Sequence, residues 1–497
     1  MKKGSLSVFF SMILVAVLTL LMTMAECIRI YELNTLAQSY TDEAVESTFS
    51  EYNPYLWANY GILAIDLAYG KDNVGPGIMK TRALGFCGTN SNVEEGYSYI
   101  RMQPNACDID EYTLLTDNSG QAVINLGSKY ALEGLGAQLV DGIGGNIDII
   151  NNIESEDVEG IVNSGNETLT QAKNDQAQAK EDARNDDDPD TSPDDFEDPG
   201  EVEDNPLDAF GKMKESFSKG VLATVVEKEA GLSEETIDLT NAPSVRALNK
   251  GTMDMTAGNA VVDKVLFTDY LLSNYGYYGD EKGHDGLKYE LEYLVGGNET
   301  DTQNLAAVIE RILLIREAAN YYTIFNSTKL RLESESMAAI LAGFTGNKVI
   351  IDAVELALIG AWAYMESTLD VRLLISGGKV PAIKNPEQFT TNIWSLSSFA
   401  NVSIKAKDCG SGLSYKDYLM SMIALKSNSE LGLRCCDVME NALHATEDYA
   451  NVSIDNMLCA ANVSIGYTSE EMFLSIFGNS TNELGQYTIK RSKYLSY

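Results

Sequence analysis

The sequence predicts an α+β protein: a long N-terminal transmembrane helix that extends into an extracytoplasmic domain of packed helices and an antiparallel sheet. Three observations predict it. Residues 4–25 carry no charge, and neither Gly nor Pro occurs from Ser5 to Asn53. Apolar residues recur at helical spacing over 260–272, 304–320 and 349–375. Short period-two runs lie between and after these segments, and strands separated by runs of helices favour α+β over a doubly wound sheet.

The 22 residues from Gly4 to Ala25 span about 33 Å as a helix, against a hydrocarbon core of about 30 Å. Lys2 and Lys3 precede the segment, whereas Glu26, Glu32, Asp42, Glu43 and Glu46 follow it with only Arg29 of opposite sign. A single-pass protein in the cell membrane is expected, with a cytoplasmic N-terminus and an extracellular C-terminal domain. Three processing outcomes are open: cleavage after Thr23-Met24-Ala25, retention as an anchor, or a leader cut between Gly4 and Ser5. The apolar run exceeds the ~7–15 residues of a signal peptide. Leu33, Ala37, Tyr40, Ala44 and Thr48 continue the helical spacing beside Val45, Phe49 and Tyr52. One retained rod is therefore expected to run as far as Pro54, about 70 Å in all.

After the rod, 52–70 reads as a turn entering an apolar run, with Trp57 and Tyr60 as core anchors. Period-two alternation over 96–104 and 110–126 predicts strands around the turn Asp117-Asn118-Ser119-Gly120. The pattern becomes helical over 122–184, with a break near 142–145. Residues 186–204 hold 11 acidic side chains, three prolines and no Lys or Arg, which predicts a solvated linker over 185–205. Asp186, Asp188 and Asp190 are spaced like the start of a calcium loop, but Thr191 stands where such loops need glycine. Beyond it, 207–228 is amphipathic. Leu287, Tyr289, Leu291 and Tyr293 alternate with Lys288, Glu290 and Glu292 as in a half-buried strand, and 459–468 and 485–497 repeat that period. The chain divides into a transmembrane segment with a short basic N-terminus (1–25), a helical extension with a small mixed region (26–184), the acidic linker (185–205) and an α+β ectodomain (206–497).

Lys and Arg number 36 against 73 Asp and Glu, a formal charge of −37 that repels nucleic-acid phosphates and anionic lipid alike. No nucleic-acid partner is expected. The seven cysteines, Cys27, Cys87, Cys107, Cys409, Cys435, Cys436 and Cys459, show no CxxC or zinc-like spacing. No metal or other cofactor is predicted. Cys87 and Cys107 are the candidate disulfide in an oxidising compartment, while Cys435 and Cys436 fit buried positions of a helix. His284 falls in a polar turn and reads as exposed; His444 falls in a helical run. Residues 376–381, "SGGKVP", resemble a phosphate loop but follow a helix, where a C-terminal glycine stop explains them. No catalytic residue emerges, and a non-enzymatic role is expected; carboxylate pairs can be identified only by geometry.

The layout of residues 1–53 resembles the N-terminal helix of type IV pilins and of the pseudopilins of tight-adherence (Tad) pili. Gly4-Ser5 resembles a prepilin peptidase site, although pilins carry glutamate at the fifth mature position, where Phe9 stands here. Further blocks, "AVESTFSEYNPYLWANYGILAID", "EYLVGGNETDTQNLAAVIERILLIREAANY", "DVRLLISGGKVPAIK" and "GLSYKDYLMSMIALKS", are similar to membrane-anchored proteins of unknown function from Gram-positive anaerobic bacteria. That group is associated with Tad pilus or type II secretion components. The resemblance implies a pseudopilin-like component of a Tad-type pilus or envelope assembly, with membrane lipid and other pilin-like or envelope proteins as partners. The alternative is a surface-tethered hydrolase or ligand-binding protein. A cleft lined by carboxylates, one with a raised pKa, would favour it.

Overall fold

The computed structural model describes residues 3–71, 74–91, 99–134, 157–185, 192–218, 220–227, 231–253, 260–473 and 485–497. The fold is α+β, mostly helical, with one small antiparallel sheet. It forms two compact units interleaved along the chain: Met1–Tyr130, Thr240–Asp263 and Asn428–Tyr497 make the first, Ala131–Leu239 and Lys264–Ser427 the second. The expected ectodomain over 206–497 is thus corrected. Its last strands belong with the N-terminal helix, because strand pairing joins segments far apart in sequence.

The first unit begins with helix α1, Lys3–Phe49, unbroken over 47 residues. Its two halves differ. An 18-residue window in the first half has a mean hydropathy of 2.5 and no buried residue. In the second half Leu33, Ala37, Ala44 and Val45 are fully buried in one core cluster with Phe49. The chain then re-enters a short helix, α2, Pro54–Tyr60, with Asn53 Oδ1 accepting from the Tyr55 and Leu56 N–H groups and Gly61 closing it in a left-handed conformation. Tyr60 is a core residue as expected, but Trp57 is 42% exposed and anchors no core.

Strand β1, Ile65–Asp66, helix α3, Gly77–Ser91, and strand β2, Gln103–Leu114, follow. The strand expected over 110–126 ends at Leu114, and helix α4, Asp117–Gly134, takes the rest. The switch lies in the predicted turn: Asn118, Ser119 and Gly120 all adopt left-handed backbone, and Asp117 Oδ2 accepts the Leu114 N–H at 2.7 Å. Glycine is required at 120, since a Cβ there would sit 2.4 Å from the Gly432 carbonyl carbon. Gly120→Ala is expected to cost about 2 kcal/mol or more in urea unfolding, with Gln121→Ala on the same turn as the mild control.

Strands β3, Met457–Glu470, and β4, Gln486–Ser496, are where the sequence puts them. β3 is central, flanked by β2 on one side and by β1 and β4 on the other, all antiparallel. β4 runs along α1, with Arg491 bonded to Asn34, Lys493 Nζ 2.6 Å from Glu46 and Tyr497 bonded to the Phe49 carbonyl. Helix Asn428–Ala445 buries Cys435 and Cys436, as the sequence indicates.

The second unit is helical: α5, Val158–Asn185; α6, Pro206–Ser218; α7, Glu290–Gly296; α8, Asp301–Asn326; α9, Thr328–Ala342; α10, Lys348–Ile375; and α11, Tyr415–Leu425. α10 runs through its centre, buried all round from Ala357 to Leu374, with α5, α6, α8 and α9 packed against it. The strand expected over 287–293 is a helical turn, α7, preceded by extended chain. Alternation misleads there because its polar members are also buried: Glu290 and Glu292 accept the backbone N–H groups of Gly276 and Tyr278 at 2.6 and 2.9 Å.

The acidic linker is also corrected over its described part. Glu197 O accepts from Gln176, Asp198 pairs with Lys180, and the Asp204 carboxylate accepts the Ser397 N–H, so 197–204 is packed onto the unit. Asp186, Asp188 and Asp190, like the glycine-rich break at 142–145, lie outside the described residues.

A closed ionic network crosses the centre of the unit. Asp370 accepts from Arg316 Nη2 at 3.0 Å and Asn320 Nδ2 at 2.9 Å and pairs with Lys384, which also pairs with Glu366. Glu366 Oε2 accepts the Thr391 N–H and hydroxyl at 2.8 and 2.6 Å, and Thr391 Oγ1 accepts the Trp362 indole N–H at 2.8 Å. Arg316 Nη1 reaches the Pro381 and Ala382 carbonyls at 2.9 and 2.8 Å. The network thereby holds the chain over 381–391 across α8 and α10.

Candidate functional site

A cavity of about 510 Å³ in the second unit lies between α5 and α8, with Asp157, Glu159 and Asn163 on one wall and Arg311, Leu314 and Glu317 on the other. Glu317 is 5% exposed, and its Oε1 has no hydrogen-bond partner. It is buried because α8 is covered on most of its circumference, which removes most of the carboxyl's contact with water. Burial pushes its carboxyl up to about 8, helped by Glu159 and Asp157 and opposed by Lys214. Glu317 is therefore protonated at neutral pH.

Tyr364 on α10 supplies a second buried oxygen without a partner, its ring edge-on to Phe210 and Phe217 of α6 at 5.1 and 6.3 Å. Its phenol is pushed up by burial, then by the Glu317 carboxyl and Glu159. A neutral carboxylic acid in a cavity lined by both charged and apolar side chains can donate a proton or hydrogen-bond a ligand. Glu159 is paired with Lys214 on α6, so it is not a free second carboxylate for a hydrolytic pair.

Another raised carboxyl has a different setting. Burial pushes Glu292 up to about 7, but its Oε1 accepts the Tyr415 hydroxyl at 2.7 Å and it lines none of the cavities described here. His284 is not exposed as the sequence suggested. It is 7% exposed, with Nδ1 3.0 Å from Glu290 Oε2, because 284–289 folds back over the start of α7. His444 is exposed on helix Asn428–Ala445, Nε2 2.9 Å from the Val452 carbonyl. Residues 376–381 are a helix stop, with the Gly377 and Gly378 N–H groups bonded to the Leu374 and Leu373 carbonyls. Among the described residues, no three of His, Cys, Asp and Glu converge as a metal site.

In the first unit Gly4 and Ser5 lie in the opening turn of α1. Cys87 on α3 and Cys107 on β2 share one core cluster as separate thiols, so the candidate disulfide is not formed. Cys87 Sγ instead donates to the Tyr467 hydroxyl at 3.0 Å, which lies 2.8 Å from Thr41 Oγ1 on α1. Burial pushes the Cys107 thiol up to about 11.

Where α1 leaves its apolar half, Glu26 and Arg29 are buried and paired at 2.9 Å. Arg29 Nη2 donates to Ser469 Oγ at 2.7 Å, and Glu26 Oε2 accepts the Phe473 N–H at 2.8 Å. In the sequence these two stand only as charges flanking a membrane segment. Opposite charges three apart directly after an apolar run were the available signal. For Glu317 no such signal existed, since 73 acids occur along the chain and burial alone distinguishes this one.

No curated protein matches the chain, and no solved structure matches it. A family described only as a family of unknown function, DUF5702, matches residues 197–469, more than half of the chain and a span that includes Glu317, Tyr364 and the buried ionic network. On that match, the chain belongs to the DUF5702 family of unknown function.

Proposed function

We propose that the protein is a membrane-anchored, extracytoplasmic component of a Tad-type pilus or envelope assembly, non-enzymatic and pseudopilin-like. The carrying observation is α1, one unbroken helix whose first half is apolar and unburied and whose second half is core. Such a helix transmits the position of the membrane directly into the sheet, with no hinge between anchor and domain. Retention of the segment is supported by the Glu26–Arg29 pair: cleavage after Ala25 would place a new ammonium group against buried, already paired charges. A helix of this kind is suited to lateral packing with other pilin-like helices.

The test is the mature N-terminus, read by mass spectrometry of protein from native membranes. Met1 or Ser5 is expected, with the protein resisting carbonate extraction; a chain starting at Glu26 would remove the anchor. If Ser5 is the start, Phe9→Glu should be tolerated in assembly.

The Glu317 cavity favours a second reading, a surface-tethered binding protein or hydrolase. Its raised carboxyl, unpartnered oxygen and the Asp157, Asn163 and Arg311 side chains on its walls support ligand capture; the pairing of Glu159 with Lys214 weighs against two-carboxylate hydrolysis.

A further inference from the structure

A cavity of about 590 Å³ lies at one end of the sheet of the first unit, lined by Arg29 of α1, Tyr99 and Arg101 before β2, Glu470 at the end of β3, and Glu471 beyond it. This size falls among small-molecule sites, about 300–1,000 Å³. Its place follows from the topology. β4 runs beside α1 from Asn34 towards Phe49, so its Gln486 end points back to the apolar half of the helix. Register then places the start of β2 and the end of β3 at that same end, through Gln103↔Thr468 and Glu470↔Gln486. Arg29 is four residues beyond Ala25, about 6 Å along the axis. The polar layer of a bilayer is about 5–7 Å deep on each side.

We propose that this cavity binds the zwitterionic headgroup of an outer-leaflet aminophospholipid, phosphate at the arginines and ammonium at Glu470. The inference rests on the membrane-anchor reading. Arg29, 5% exposed, is a built-in wall: Nε donates to the Tyr99 carbonyl at 2.5 Å, Nη1 to Glu26 at 2.9 Å and Nη2 to Ser469 at 2.7 Å. A guanidinium has five N–H donors, so one on each terminal nitrogen is left for a phosphate oxygen. Arg101 and Glu470 are exposed at the same wall and supply one charge of each sign. Tyr99, a residue type that sits at headgroup level, stacks beside it on Phe473 with ring centroids 6.3 Å apart. Glu26 and Glu471 bring the local balance to the acidic side, which selects against an anionic headgroup and for one carrying its own ammonium.

The test uses the full chain in detergent micelles, titrated with phosphatidylethanolamine or phosphatidylglycerol and read by native mass spectrometry. Phosphatidylethanolamine is expected to be retained at about tenfold lower concentration than phosphatidylglycerol. Arg101→Gln should weaken that retention about tenfold, the loss of one charge-assisted hydrogen bond. Glu470→Gln should narrow the difference between the two lipids. Both side chains are exposed, so unchanged melting is the check on folding. Equal retention of the two lipids, or retention unmoved by both variants, overturns the proposal. Displacement of bound lipid by equimolar phosphoethanolamine would assign the site to a soluble ligand and overturn the lipid source. A chain absent from the membrane fraction would instead sink the anchor reading itself.

Discussion

Asp370→Ala is expected to destabilise the second unit by about 3–5 kcal/mol, the usual cost of breaking a buried ion pair from one side. Asp370 is fully buried and is shared by two cations, Arg316 and Lys384, so its removal leaves both with reduced compensation. Glu366 still faces Lys384, but Arg316 keeps only carbonyls, Asn320 and Tyr418. Asp370→Asn, which keeps the shape and one acceptor, should cost less than the alanine. The measurement is urea unfolding followed by tryptophan fluorescence, because Trp362 is buried beside the network and bonded to Thr391. A loss under about 1 kcal/mol would mean that water reaches these charges in the folded state.

Glu317→Gln is expected to stabilise the second unit above pH 8 and to flatten its pH dependence. The sign follows from linkage. The folded-state value is raised from 4.5 to about 8, so the native unit binds this proton more tightly than the unfolded chain. Its stabilising contribution is fully present below pH 4.5 and is lost as pH rises through 8. At about 1.4 kcal/mol for each unit, the loss is of order 5 kcal/mol. Glutamine cannot ionise, so the variant should match wild type near pH 4 and exceed it at pH 8.5. Glu292, raised from 4.5 to about 7 by burial, has the same sign and leaves some slope in the variant. Parallel stability curves for variant and wild type would show that Glu317 is solvated.

The two halves of α1 were legible in the sequence because each obeys a one-dimensional rule. A charge-free run of bilayer length marks the first, and Leu33, Ala37 and Ala44 on one helical face mark the second. β3 and β4 were legible for the same reason, as was the glycine stop at Gly377. The alternation at 287–293 failed because Glu290 and Glu292 are as buried as the tyrosines between them. Period two reports a strand only when its polar members meet water. Likewise His284 looked exposed in a run of polar residues and is enclosed by contact with Glu290.

By itself, the sequence determined the α+β class, the apolar anchor-length helix, the acidic surface and the lack of a recognisable catalytic motif, since each depends on composition or on neighbours along the chain. Tertiary structure decided the rest. It chose which segments share a unit, bringing Tyr467 to Cys87 and Thr41. It packed residues 197–204 of the acidic stretch, and it singled out Glu317, Asp370 and the Glu26–Arg29 pair among many similar charges. Their energies are set by loss of water and by partners tens or hundreds of residues away, and desolvation leaves no mark on the local pattern.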